Sequence, residues 1–268
     1  MNDRPAPARV PEWDAATYHR VSEPQFEWGL KVLARLPLAG DETVMDAGCG
    51  TGRLTSLLLE RLPRGRVIAV DQSANMLAAA RQLLAPRYPG QVEFIETDLL
   101  ALDLDAACDA VFSTATFHWV LDHDRLFARL FHALRPRGRL VAQCGGGENL
   151  RRFHDRALAL CRAPVLAPYF AGAGEPWYFA DPASTATRLR AAGFFAVETS
   201  LEPAPTPFPD AAAFRTFVER VVLRPLLARI PDAGQRERFV DALVEQARSD
   251  HPPFELDYWR LNLSALRP

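Results

Sequence analysis

The chain has 268 residues, 49% of them hydrophobic, and 31 Lys and Arg against 33 Asp and Glu give a formal charge of -2. That length and apolar fraction supply one large core, or a core with a smaller cap, and the near-neutral balance lacks the basic footprint that grips a phosphate backbone, so nucleic acid is excluded as an expected partner. Cys49, Cys108, Cys144 and Cys161 have neither disulfide-framework nor zinc-ligand spacing, and no run approaches the roughly 18 apolar residues of a membrane span, so the expectation is a cytoplasmic protein with reduced thiols, no metal and no membrane contact.

The Pro-rich start, residues 1–17, is expected to be flexible, with a single domain over 18–268. A helical segment, YHRVSEPQF, begins at Tyr18; Ser22 and Gln25 have capping-box spacing ahead of FEWGLKVLARL. Five apolar runs then read as strands: TVMDA (43–47), RVIAV (66–70), VEFIE (92–96), DAVFS (109–113) and RLVAQC (139–144). Between them LTSLLLERL, SANMLAAARQLL and DRLFARLFHAL place apolar residues three and four apart, as crossover helices on a buried parallel sheet do. The alternation predicts an α/β fold with a doubly wound sheet. Gly145 to Ala180 departs from the rhythm, being rich in Gly, Pro and aromatics. Asp181-Pro182 opens a helix that Gly193 closes, EPAPTPFP (202–209) breaks the pattern again, and helices follow near 210–229 and 234–248. The irregular stretches, 145–180 and 203–248, read as cap insertions over the ligand edge of the sheet, and FELDYWRLNL (254–263) as a last strand returning to it.

The loop VMDAGCGTGRLTS after the first strand is glycine-rich, as loops for dinucleotides and for S-adenosylmethionine both are. Charge separates the two. Asp46, two residues before Gly48, would repel a pyrophosphate at the helix N-terminus, whereas it attracts a sulfonium and an α-ammonium. The spacing of Gly48, Gly50 and Gly52, G-x-G-x-G, points the same way. Asp71, at the end of the second strand, sits where a carboxylate accepts from ribose hydroxyls, and Asp98 follows the third strand, placed for an adenine amino group or for capping a turn.

These motifs together resemble those of the class I S-adenosylmethionine-dependent methyltransferases: VMDAGCGTG the first, VIAVDQS the second, FIETDLLALDL the adenine-side motif, DAVFSTATFHWV the fourth strand with its loop, and ALRPRGRLVAQ the approach to the fifth strand, over roughly residues 18–145. The resemblance implies a seven-stranded, Rossmann-like sheet with the last strand antiparallel, and S-adenosyl-L-methionine as cofactor with S-adenosyl-L-homocysteine as product. It implies Asp46, Gly48 and Gly50 near the methionine part, Asp71 on the ribose, Gln72 and Met76 beside the adenine, and Asp98 with Leu99 at its edge. Cys49, Gly52, Thr97 and Ser113 join the expected cofactor set by their place in the same motifs, and Tyr18 and Gln25 by a segment that covers the cofactor in similar enzymes.

His118-Trp119 is similar to the loop of carboxyl methyltransferases acting on trans-aconitate and on malonyl-carrier protein. His118 is thus the candidate base or orienting residue and Trp119 its partner, with core packing the alternative for both. His123, between two acidic residues, reads as a solvated helix start. Candidate pocket residues further on are GGGENL (145–150), Trp177 and Tyr178 in PWYF, Arg220, Arg224 and Tyr258. The expected activity is methylation of a small-molecule acceptor, on a carboxylate or hydroxyl oxygen. An S-adenosylmethionine-binding protein without turnover and an NAD-dependent oxidoreductase remain open, as does a monomer or homodimer.

Overall fold

The computed structural model describes residues 12–268. Of the segment expected to be flexible, residues 1–11 lie outside the described residues. Residues 12–17 make defined contacts: Asp14 accepts from the Thr17 amide at 3.0 Å to cap α1 (Ala15–Val21), and Glu12 accepts from the Ser73 hydroxyl and, at 2.9 Å, from the Asn75 amide.

After α2 (Glu23–Ala34) the chain alternates strand and helix: β1 (Thr43–Ala47), α3 (Arg53–Glu60), β2 (Arg66–Asp71), α4 (Ala74–Leu84), β3 (Val92–Glu96), β4 (Cys108–Thr114), α5 (His123–Ala133) and β5 (Leu134–Gly145). All five expected strands are present, within a few residues of their expected ends. Then come α6 (Arg151–Cys161), α7 (Ala167–Phe170), α8 (Pro182–Ala191), β6 (Phe195–Pro203), β7 (Thr206–Pro207), α9 (Ala211–Phe217), a π-helical turn (Val218–Val222), α10 (Arg224–Leu227), α11 (Ala233–Arg248), β8 (Glu255–Leu256) and β9 (Trp259–Leu266).

The seven-stranded sheet runs β3-β2-β1-β4-β5-β9-β6, parallel as far as β5, with β9 antiparallel to both its neighbours. This is the Rossmann-like fold of the class I methyltransferases. The order in which successive strands are added reverses between β1 and β4, the switch point where such sheets bind ligands beyond their carboxyl ends. One apolar cluster packs under α2, α3 and α4, a second under α5 and α8 on the opposite face, and a third gathers α6, α9, α10 and α11 around Trp28, Trp177 and Tyr258.

Several local expectations change. Ser22 is the N-cap of α2 but its hydroxyl makes no capping bond, and Gln25 Oε1 is buried without a partner among the described residues, so the capping box does not form. Gln25 is instead turned to a cavity described below. Asp181 does cap α8, accepting from the Ser184 amide at 2.9 Å, and Gly193 follows it at φ +105°. The expected 210–229 helix is interrupted: the Leu223 amide reaches back five residues to the Val218 carbonyl at 2.7 Å, and Pro225 opens α10. The 254–263 run divides at a turn into β8, which pairs with β7, and β9, which inserts between β5 and β6. His123 is not solvated: its Nε2 lies 3.0 Å from the Phe117 carbonyl oxygen, and its ring meets the edge of Tyr178.

Candidate active site

Beyond the carboxyl ends of β1, β2 and β4 lie three neighbouring cavities of about 960, 470 and 470 Å³, all bordered by Tyr18 and Ala115. The largest is bounded by Gly48, Gly50, Asp71, Gln72, Met76, Thr97 and Leu99, which places the ends of three successive strands around one space. The second is reached from Asp46, Gly48, Cys49, Gln25 and Arg53.

The loop joining β1 to α3 is held tightly. Gly48, Gly50 and Gly52 all have left-handed backbones, at φ +86°, +55° and +82°. A Cβ on Gly48 would sit 2.1 Å from Thr116 Oγ1, whereas one on Gly50 would meet nothing within 4 Å among the described residues. The Gly48 and Cys49 amides donate to the Val70 carbonyl at 2.8 and 2.9 Å, and the Gly50 amide to Asp71 Oδ2 at 2.9 Å. Asp71 Oδ1 accepts from the Ser73 amide at 2.9 Å, so one carboxylate fixes both the glycine loop and the start of α4. Burial raises its pKa, against those same hydrogen bonds.

Asp46 is 2% exposed. Its Oδ2 accepts from the Thr55 hydroxyl at 2.6 Å, and burial pushes its pKa up to about 7 even against that bond. A buried carboxylate so destabilised is a seat for a cation. Two acidic groups and a cavity-facing glycine backbone fit a sulfonium amino acid with an attached ribose and do not fit a pyrophosphate.

The structure separates the expected cofactor residues. Tyr18, Gln25, Asp46, Gly48, Cys49, Gly50, Asp71, Gln72, Met76, Thr97 and Leu99 border these cavities. Asp98 does not: its Oδ1 accepts from the Leu100 amide at 2.8 Å, capping a short 3-10 turn on the exposed side. Ser113 is buried away from the cavities and donates to the Ala47 carbonyl at 2.6 Å, tying β4 to β1. Gly52 packs against Ala80 and Leu84 and serves the helix start.

The third cavity lies between the loop after β4 and the helices over the sheet edge. Its walls are mostly aromatic, with Trp13, Trp119, Trp177, Phe179 and Tyr258 around His118. His118 Nδ1 accepts from the Gly145 amide at 3.3 Å, which leaves the proton of the neutral ring on Nε2. Burial, reinforced by Arg260, holds its pKa well below the usual histidine range. Of the other expected acceptor residues, Trp177 and Tyr258 line this cavity, while Arg224 borders the largest one, its guanidinium 3.6 Å over the Trp13 ring. Tyr178 faces the opposite way, its hydroxyl accepting from Arg188 at 2.8 Å, and Arg220 is exposed and borders none of the three. Sequence reading did not single out His154 and Arg260. His154 lies on α6 and stacks 4.0 Å from Trp177, and Arg260, second in β9, lies across from Gly145.

Sheet order, glycine loop and paired acidic strand ends define a Rossmann-like S-adenosylmethionine site. Residues 44–138 match the family described as "Methyltransferase domain". Trans-aconitate 2-methyltransferase from Azoarcus sp. is 34% identical, across 91% of this chain and 92% of its own length; that from Variovorax paradoxus is 32% identical, across 82% and 83%. In fold the chain is similar to phosphoethanolamine N-methyltransferase 2 of Haemonchus contortus, solved with S-adenosylhomocysteine, with a TM-score of 0.61 at 18% identity over 95% of this chain and 57% of that one. The chain belongs to the S-adenosylmethionine-dependent methyltransferases of class I, in the family that includes the trans-aconitate 2-methyltransferases. It is an enzyme that takes S-adenosylmethionine as its methyl donor.

Proposed function

We propose that the acceptor is a small organic acid and that the product is its methyl ester. The observation that carries this reading is the wall of the aromatic cavity: among the described residues no Asp or Glu lines it, and its His118 faces it as a neutral N–H donor with Nδ1 already engaged. Tyr18 has its hydroxyl pKa pushed up to about 12 by burial and by Asp71, so it too stays protonated. A hydroxyl or amine acceptor would need a base, and the imidazoles of this wall are weak ones: burial holds His118 well below the usual histidine range and pushes His154 down to about 3. A carboxylate is ionised at neutral pH and needs none. The names of the two relatives, which specify a carboxylic acid, support the same reading.

S-adenosylmethionine supplies an electrophilic methyl group on a sulfonium. The carboxylate oxygen uses a lone pair to form the new O–CH3 bond as the S–CH3 bond breaks, its electron pair staying on sulfur, and no proton moves. The protein's part is alignment and exclusion of water. Tyr18 and Ala115, common to all three cavities, border the place where donor and acceptor meet. Asp46 faces the cationic amino-acid end and Asp71 the ribose, while Arg53, ion-paired with Glu23 at 3.0 Å, lies near the methionine side. The four free, buried cysteines and the relatives' small-molecule acceptors are consistent with a cytoplasmic enzyme.

Screening carboxylic acids, phenols and amines for S-adenosylhomocysteine release tests the reading. Turnover confined to acids is the expected result, and a preference for amines or phenols would overturn it.

Asp46 adds a pH dependence. With its pKa raised to about 7 in the free protein, the carboxyl is protonated below that pH and cannot attract a cation. Affinity for S-adenosylmethionine is therefore expected to tighten as pH rises from 6 to 7.5, by up to about tenfold, the change in ionised fraction across that window. Titration calorimetry should show this slope in the wild type and its loss in Asp46→Asn, together with weaker binding throughout. A slope unchanged by the substitution would remove Asp46 from the site.

A further inference from the structure

We propose that Arg260 is the anchor for the acceptor's carboxylate, and that the acceptor is a monoanionic acid with an apolar body rather than a polycarboxylate. This rests on the carboxylate reading above and narrows it.

Arg260 is 2% exposed and is the second residue of β9, the antiparallel strand that brings it to the carboxyl edge of the sheet beside Gly145 of β5. Among the described residues it has no carboxylate within 4.0 Å. Its Nε donates to Gln143 Oε1 at 3.4 Å, and its guanidinium lies 4.4 Å over the Trp28 ring and 6.0 Å from that of Tyr258. The nearest acidic side chain on the neighbouring strand, Glu202, accepts from Asn262 at 3.3 Å and pairs with Lys31 at 3.7 Å instead. Arginine stays protonated even when burial lowers its pKa, as it does here. A buried guanidinium without an anion is costly, and it is tolerated where an anion arrives as ligand.

The same cavity supplies polar atoms beside that charge. His154 Nε2 is buried without a partner among the described residues, and His118 keeps its Nε2–H. The Gly145 amide that fixes His118 belongs to the strand residue paired with Arg260, so both side chains belong to one corner of the sheet edge.

Charge arithmetic sets the class of acid. Arg260 is the one cationic side chain lining this cavity among the described residues, while Arg224 borders the cofactor-side cavity and already donates to the Glu12 carbonyl at 3.1 Å. A single carboxylate is matched by it. Further carboxylates would lie against Trp119, Trp177, Phe179 and Val222 with no counter-charge. Methylation also cancels the charge that Arg260 holds, so the neutral ester loses its ion pair and leaves.

The test measures binding and turnover on the S-adenosylhomocysteine- and S-adenosylmethionine-loaded enzyme, using cinnamate, phenylacetate, sorbate and octanoate, their amides, and trans-aconitate. At least one monoacid is expected to quench tryptophan fluorescence with ten times the affinity of its amide, and to exceed trans-aconitate in kcat/KM. Arg260→Gln should erase the acid-over-amide preference and raise KM for that acid at least 30-fold, and Arg260→Lys should restore part of it. Both variants should bind S-adenosylhomocysteine within threefold of wild type, which shows that they are folded. If Arg260→Gln loses that binding, Arg260→Lys alone decides, by whether its KM for the acid rises while its affinity for S-adenosylhomocysteine holds. Trans-aconitate as the better substrate, no binding by any monoacid, or an acid preference that survives substitution would overturn the proposal and leave ester formation standing. Turnover of amines or phenols with none of acids would overturn the carboxylate reading itself.

Discussion

Replacing Asp71 by alanine should weaken S-adenosylmethionine binding by about 10- to 150-fold, or roughly 1.5–3 kcal/mol, the range for hydrogen bonds to a charged acceptor. Two effects act together. The carboxylate that borders the cofactor cavity is lost, and so are the acceptors for the Gly50 and Ser73 amides, each at 2.9 Å. The glycine loop is held to β2 otherwise by the Gly48 and Cys49 amides on the Val70 carbonyl, so it should keep its overall course while Gly50 loosens. Asp71→Asn retains one carbonyl oxygen and should recover part of the affinity. Calorimetry on folded variants gives the answer, and an unchanged dissociation constant in Asp71→Ala would remove this carboxylate from the ribose.

Much of this architecture is legible because the parallel strands are buried on both faces. β1 is buried at all five positions and β2 at its central four, so each reads as an unbroken apolar run. β6 is different. It is an edge strand with Glu198, Ser200 and Glu202 on one side, partly exposed along its length, and the prolines after it masked the pattern. Glycines and acids at strand ends are also legible, since the fold brings successive strand ends together without any long-range knowledge. That local logic fails where a short polar side chain has two uses: Asp98 caps a turn, and Ser113 bridges two strands. The aromatic cavity depends on more distant parts of the chain. Trp177 and Tyr178 are adjacent and equally aromatic, yet one stacks on His154 in the cavity and the other packs against His123 beyond it. Arg260 needed the knowledge that β9 inserts between β5 and β6 with its first residues at the ligand edge. The available signal was an arginine placed among apolar residues at the start of the last strand.

Substituting His118 by alanine should lower kcat/KM for an acid acceptor by about 10- to 100-fold, and by the same factor at every pH from 6.5 to 9. The reason is the direction of its hydrogen bonds. With Nδ1 accepting from the Gly145 amide, the neutral ring can only donate from Nε2, so its contribution is one oriented hydrogen bond to a carboxylate oxygen, worth about 1.5–3 kcal/mol. The pH behaviour follows from the lowered pKa. Burial and the neighbouring Arg260 disfavour the imidazolium, so the ring is already neutral at pH 6.5 and does not titrate above it. Acceptor carboxylates are ionised across the same range. At saturating S-adenosylmethionine, which removes the Asp46 contribution to binding, the wild-type profile should therefore be flat. A general base with so low a pKa would also give a flat profile over this window, so the size of the loss discriminates: the deficit in the alanine variant would reach about 10²- to 10⁴-fold. His118→Asn, which can still donate a hydrogen bond but cannot serve as a base, separates the two, since recovery of most of the activity requires an orienting role. Loss in the asparagine variant equal to that in alanine, with a deficit above about 10²-fold in both, would establish proton abstraction and return the hydroxyl acceptor to first place.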